Sequence, residues 1–148
     1  MEEKNNNIGF AFLGIKTEQF AVFEENFNPK KDINLNTGLQ FKIDHTAKQI
    51  GVFLELSFEQ QKKKFIKIQV SCHFKIEDDA WAGFVQKKES NLIIPKDFLA
   101  HISMVTVGTT RGVLFAKTEG TQFSKFFVPL INVAEMIKED AVFDINFE

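Results

Sequence analysis

Between residues 39 and 76 apolar and polar side chains alternate with a period of two. Leu39, Phe41 and Ile43 oppose Gln40, Lys42 and Asp44. Ile50, Val52, Leu54, Leu56 and Phe58 oppose Gly51, Phe53, Glu55, Ser57 and Glu59, and Ile66, Ile68, Val70, Cys72, Phe74 and Ile76 oppose Lys67, Gln69, Ser71, His73 and Lys75. Such strict alternation puts one face of each strand in a core and the other in water, as in an antiparallel sheet. The breaks at 46–49 and at QQKKK (60–64) are short enough for successive strands to pair as neighbours. Upstream, IGFAFLGIKTEQFAVFE (8–24) is rich in strand-forming residues. Its first half is apolar on both faces, which predicts a strand covered on both sides. NPKKDINLNTG (28–38) predicts a turn-rich connector.

Beyond residue 78 the period changes. EDDAWAGFVQKKESN (77–91) is polar and irregular, with a helical turn around Trp81. Phe98, Ile102, Val105, Thr109 and Val113 then recur at spacings of three and four, which predicts a helix over 95–117 with Pro95 at its first position. Gly108 and Gly112 inside it cost about 1 kcal/mol each relative to Ala. Four residues apart, they share one face, where they either seat the helix tightly on the sheet or meet a helix of a second subunit. TEGTQFSKFFVPL (118–130) predicts a loop, and Asn132 caps a short helix through Lys138. The closing AVFDINFE, with Phe143, Ile145 and Phe147 on one side, predicts an edge strand. The order predicts an α+β fold, a four-stranded antiparallel meander sheet followed by a long helix, a loop and a short helix on one side. One domain, residues 1–148, accommodates it.

Composition sharpens this picture in one respect. The chain has 18 Phe, one Trp and no Tyr. Phe lacks the polar handle that lets Tyr lie half-buried, so surplus Phe becomes apolar surface. Biased codon usage accounts for such a count; so does a protein with more apolar surface than its core consumes. The net charge of -2 gives no reason to expect nucleic acid or anionic lipid as a partner. One cysteine, Cys72, excludes an intramolecular disulfide. MEEKNNN is not a signal peptide, and no uninterrupted apolar run nears the roughly 20 residues of a membrane span. A cytoplasmic, non-membrane protein is expected.

Candidate chemistry is thin. Gly-rich phosphate loops, a G-x-S-x-G elbow and C-x-x-C are all missing from the sequence. His45 and His73 read as solvent-facing strand residues, His101 as a helix-surface residue, and Cys72 as an inert core thiol. Asp78 and Asp79 read as a turn and helix start, and the lysines at 62–64 as a solubilising hairpin tip. No catalytic residue, metal site or cofactor is expected, and the protein is not read as an enzyme.

The region from Ile93 onward is similar to the SecB-like family of chaperones. The likeness lies in Ile93-Ile94-Pro95 before the long helix, Ser103-Met104-Val105 within it, and Val128-Pro129, Ile131-Asn132-Val133 and Met136-Ile137 after it. It extends over most of the chain, from IGFAFLGIK to VAEMI. Phe98 stands where SecB usually has Arg, the acidic tail of SecB has no counterpart, and the loop between the second and third strands is shortened. The resemblance implies a groove that captures unfolded polypeptide clients, with Phe123, Phe126, Phe127 and Val128 on one wall. It also implies a homo-oligomer, a dimer or a dimer of dimers (homotetramer), built by edge-strand pairing and helix stacking, with Gly108 and Gly112 at the interface. Protein export with a translocation ATPase as partner is the family's best-known role. A module dedicated to one partner, as in toxin-antitoxin stabilisation, is the alternative, and a small-ligand enzyme or carrier on a superficially similar sheet-plus-helix fold is a third.

Overall fold

The computed structural model describes residues 8–145. Its main sheet comprises β1 (Phe10–Val22), β2 (Asn34–Asp44), β3 (Gln49–Gln60) and β4 (Lys63–Ile76), all antiparallel. The strand order is β1-β4-β3-β2. β2 to β4 form the expected meander, whereas β1 lies beside β4 on the far edge instead of pairing with β2. Burial explains the placement. The inward residues of β3 and β4, from Ile50 to Leu56 and from Ile66 to Ile76, are fully buried, so these two strands take the centre. The β3–β4 register is pinned by a two-residue turn in which Gln61 (φ 49°) and Lys62 (φ 66°) are both left-handed, the geometry that matches strand twist.

β1 is not covered on both sides. Phe12, Leu13 and Ile15 are exposed, Ile15 at 54%. The register slips between Phe12 and Gly14 and again between Thr17 and Gln19, so β1 is an edge strand with two bulges. The opposite edge, β2, keeps an unbroken register over its 11 residues.

One long helix covers the apolar face of the sheet. After α1 (Asp78–Phe84), which buries Trp81 and Phe84, and the short strands β5 (Val85–Gln86) and β6 (Asn91–Ile94), helix α2 runs from Lys96 to Thr118. Pro95 occupies the N-cap position, one residue earlier than expected. The buried stripe is Phe98, Leu99, Ile102, Ser103, Thr106, Val107, Thr110, Leu114 and Thr118. Val105, Thr109 and Val113, expected on that stripe, lie half-buried on its shoulder. Threonines can hold core positions because each satisfies its own hydroxyl. Thr106 donates to the Ile102 carbonyl (2.9 Å), Thr110 to that of Thr106 (2.7 Å) and Thr118 to that of Leu114 (2.8 Å). With 23 residues and a mean hydropathy of 1.3 over its most apolar stretch, α2 also has the length and composition of a membrane span; here 44% of that stretch is buried in the fold. The sequence reading passed over it because hydroxyls and charges interrupt the run.

The chain then passes through a single helical turn, α3 (Val133–Met136), shorter than the helix expected to reach Lys138. Asn132 is at its N-cap without a side-chain capping bond. β7 (Ala141–Asp144) pairs with β6, closing a second, three-stranded sheet of order β5-β6-β7 that the polar run at 77–91 concealed. Ile145 is buried behind β7; Phe147 lies outside the described residues.

Two side chains fasten the β1–β2 connector by hydrogen bonds, Asn26, which donates to the Lys64 carbonyl at 2.8 Å, and Gln60. Gln60 is buried; its amide donates to the Asn28 (2.8 Å) and Lys31 (3.1 Å) carbonyls, and its oxygen accepts from the Asn28 amide (2.8 Å). Gln60→Leu leaves three backbone groups without their partner and should lower stability by about 1–3 kcal/mol. A shift of the urea midpoint at unchanged slope would verify this, and an unchanged midpoint would refute it.

Candidate polypeptide-binding surface

The segment between α2 and α3 begins where Gly120, at φ 80°, turns the chain off the helix, a conformation other residues rarely adopt. The Thr121 hydroxyl accepts from the Phe123 amide and donates to the Thr118 carbonyl, winding residues 122–125 into a 3-10 turn. That turn drives Phe123 inward to 2% exposure. Phe123 and Phe126 join Phe27 from the β1–β2 connector, Phe58 from β3 and Phe65 from β4 in one aromatic cluster with neighbouring centroids 5.0–6.3 Å apart. Lys125 lies over the Phe27 and Phe126 rings, 5.5 Å from each centroid.

The four expected wall residues therefore divide. Phe123 and Val128 are sealed at 2% exposure and Phe126 is half-buried, so the cluster and the core consume much of the oily linker. Phe127 alone among the four stands in solvent, at 58%. The chain here is extended, so neighbouring side chains alternate inward and outward. Leu130, at 96%, is the most exposed large apolar residue of those described, and sequence reading passed over it. Its signal was there: an apolar residue directly after Pro129, one step outside the Phe run.

Gly108 and Gly112 lie on the outer face of α2. A Cβ on either would meet nothing within 4 Å, so they do not seat the helix on the sheet. On the same outward side stand Met104 (63% exposed) and Phe115 (47%). Between α2 and the linker is a pit of about 150 Å³ lined by Met104, Val107, Arg111, Leu130, Ile131 and Val133. Farther along, where α3 approaches β2, an open groove of about 470 Å³ is lined by Phe41, Leu99, Met136, Ile137 and Ala141 together with Glu135, Lys138 and Glu139. Neither has the convergent polar groups of a small-molecule site.

His45 is in the β2–β3 turn, not on a strand; its Nδ1 accepts from Trp81 Nε1 at 2.9 Å. His101 is exposed beside Phe10. Burial pushes the Cys72 thiol up in pKa, partly offset by hydrogen bonds with Thr106 and Thr109, which keeps it protonated and unreactive. Asp78 opens α1 and pairs with Lys48 at 3.1 Å. Among the described residues no three His, Cys, Asp or Glu side chains form a metal site. The one constellation that superficially resembles a nucleophile relay is Glu18–Ser71–His73, on the sheet face opposite α2. Ser71 donates its only hydroxyl proton to Glu18 (2.8 Å), so His73 Nε2, at 2.9 Å, must donate to Ser71 rather than act as its base. The arrangement tethers the second β1 bulge to β4.

Comparison with known proteins bears on the fold. No protein-family model matches the chain, and no curated protein sequence matches it. Among solved structures, it superposes on the SecB-like chaperone Rv1957 of Mycobacterium tuberculosis, determined with a ChAD peptide from the HigA1 antitoxin Rv1956. The TM-score is 0.51 at 9% identity, over 83% of this chain and 91% of that one. The fold is SecB-like. A protein of unknown function from Streptococcus agalactiae gives a TM-score of 0.38 at 17% identity, over 84% of this chain and 98% of that one. Within the SecB-like fold seen here, exposed apolar residues form two groups, Phe12, Leu13 and Ile15 on β1 and Met104, Phe115, Phe127 and Leu130 on the outer side of α2 and the linker, with Phe23, Ile33, Met136 and Val142 elsewhere.

The Ser71 hydrogen bond, first, and the Lys16 and His73 charges hold the Glu18 carboxyl below its usual pKa against a smaller opposing effect of burial. A depressed acid stabilises the fold above its unfolded pKa, about 4.3, and that contribution is lost as pH falls through the lower folded value. Urea midpoints of the native chain and Glu18→Gln should thus differ at pH 6 and converge in more acidic buffer. A gap that widens with acid would contradict the tether.

Proposed function

We propose that this protein is a non-catalytic, chaperone-like binder of unfolded or partly folded polypeptide. The observation that carries the reading is the exposed apolar surface of α2 and the linker, Met104, Phe115, Phe127 and Leu130, with Met104 and Leu130 on the wall of the pit and no metal-binding cluster among the described residues. Such a surface removes apolar client groups from water at about 25 cal/mol per Å² without requiring a particular sequence. The SecB-like fold supports the reading, and a matching structure of that fold was solved with a peptide from an antitoxin. That second fact favours, as the alternative, a binding module dedicated to one partner. A cytoplasmic role in export, with a translocation ATPase as second partner, is the finer form of the first reading. Breadth of client capture in a lysate separates them: many unfolded chains for a general chaperone, one stoichiometric partner for a dedicated module.

Phe127 is the member of the original quartet best placed to meet a client directly, with Leu130 as its neighbour. Phe126 is a poor mutational probe because it packs against four other Phe rings. Replacing Phe127 and Leu130 together by Ser should weaken suppression of client aggregation about tenfold or more, given 1.5–3 kcal/mol per buried large side chain. The thermal midpoint should hold, since both residues are exposed. Light scattering of an aggregating client at graded protein ratios measures the effect; undiminished suppression would count against this surface.

Gly108 and Gly112 are proposed as the close-contact points of a homo-oligomer formed through α2, a dimer or a dimer of dimers. Ala at either position should stabilise the isolated helix by about 1 kcal/mol, because the added methyl meets nothing. Leu at both should abolish self-association in sedimentation if two helices meet there. An unchanged sedimentation coefficient would remove the glycines from the interface.

A further inference from the structure

The linker after the aromatic cluster has an unusual balance of attachments. Its near end is fixed by Phe123 and Phe126 in the cluster, and beyond its far end Asp140 accepts from the Lys96 amide at 2.9 Å, pinning the chain to the start of α2. Between these points, among the described residues, no backbone amide of residues 127–134 donates to another protein group. Mid-span, the polar attachment comes from one side chain. Arg111 donates from Nε to the Val128 carbonyl and from Nη2 to the Pro129 carbonyl, each at 2.9 Å. Beneath the span lie the buried side chains of Val128, Val133 and Ile137; the 150 Å³ pit opens beside its middle, at Leu130, Ile131 and Val133, and the 470 Å³ groove at its far end, at Glu135 to Glu139. Leu99 in the groove and Val107 in the pit are two turns apart on the buried side of α2.

We propose that residues 127–137 are a strap that lifts as a unit from α2, joining pit and groove into one apolar trough, and that Arg111 is the positioning residue that latches it shut. The inference rests on the polypeptide-binding reading and adds to it how access is controlled. The strap is held by Arg111 and by the buried side chains of Val128, Val133 and Ile137, with no amide of residues 127–134 bonded among the described residues, so it opens at a lower free energy than the sheet, which opens only with the whole fold. Charge-assisted hydrogen bonds to two successive carbonyls fix both the position and the direction of the strap. A client that enters only the open form binds with an apparent affinity reduced by the open fraction, so the strength of the latch sets the threshold for capture. Outward-facing Phe127 and Leu130 offer first contact while the strap is closed.

The test uses two thiols. Val128→Cys places one beneath the strap, and the native Cys72, buried under α2, reports opening of the whole fold. N-ethylmaleimide should label position 128 about tenfold faster in the Arg111→Met background than with Arg111 intact, with Arg111→Lys between the two and Cys72 unchanged throughout. Reduced, carboxymethylated lactalbumin, a permanently unfolded chain, should bind the Arg111→Met protein about tenfold tighter. Equal labelling at position 128, acceleration of both thiols together, or faster labelling without tighter binding would overturn the latch. Failure of every form to bind the unfolded chain would sink the polypeptide reading and the gate with it. Unchanged thiol rates alongside intact binding would sink the latch alone.

Discussion

The architecture depends on one contact, the underside of α2 against the fully apolar inward face of β3 and β4. From Ile50 to Phe58 and from Ile66 to Ile76 that face has no polar residue, so it must be covered and must be central. The helix can meet them with serine and threonine because its threonines return their hydroxyl protons to the helix backbone, leaving methyl groups toward the sheet. Ser103 is the exception, a buried hydroxyl with no partner among the described residues. Given this contact, β1 and β2 are left to the edges, and the rest of the chain closes the two ends of the layer.

The sheet was legible in the sequence because period-two alternation is a direct imprint of one-sided burial. β3, β4 and β2 from Leu39 follow the alternation, but β2 begins at Asn34, inside the expected 28–38 connector, and Gly51, Ser57 and Ser71 on the opposite face are buried as well. The rest was less visible for identifiable reasons. β1 is apolar on both faces, which reads as double cover; in the fold it is an edge whose two bulges turn side chains out of register. The helix was found, but its stripe was read one residue off, since Thr106 and Thr110 count as polar until their back-bonding is seen. β6 was missed because Leu92 and Ile94 sit beside the polar stretch that precedes them and pair with a strand some fifty residues later, information that local pattern does not contain.

The excess of Phe now has a physical account. Most of the Phe-rich linker serves the protein itself: rings from the connector, β3, β4 and the linker meet in one cluster that plugs the end of the sheet. The composition is thus partly an internal fastening and partly surface, with Phe12, Phe23, Phe115 and Phe127 left exposed among the described residues. Reading the whole run FFVP as binding surface overestimated its availability, because alternation along an extended chain turns one neighbour in and the next out. The chemistry that sequence could not reveal, such as Arg111 reaching the Val128 and Pro129 carbonyls, depends on which turn of the helix the linker happens to cross.

The two borders of the main sheet are unlike. One offers eleven residues of regular backbone; the other is interrupted twice and retains only the short run from Gly14 to Thr17 between its irregularities. Endless stacking of copies, smooth border to broken border, therefore lacks a matching surface at every junction. Such a chain can join one neighbour across its smooth side and then stop, which builds self-limitation into a molecule rich in exposed oil.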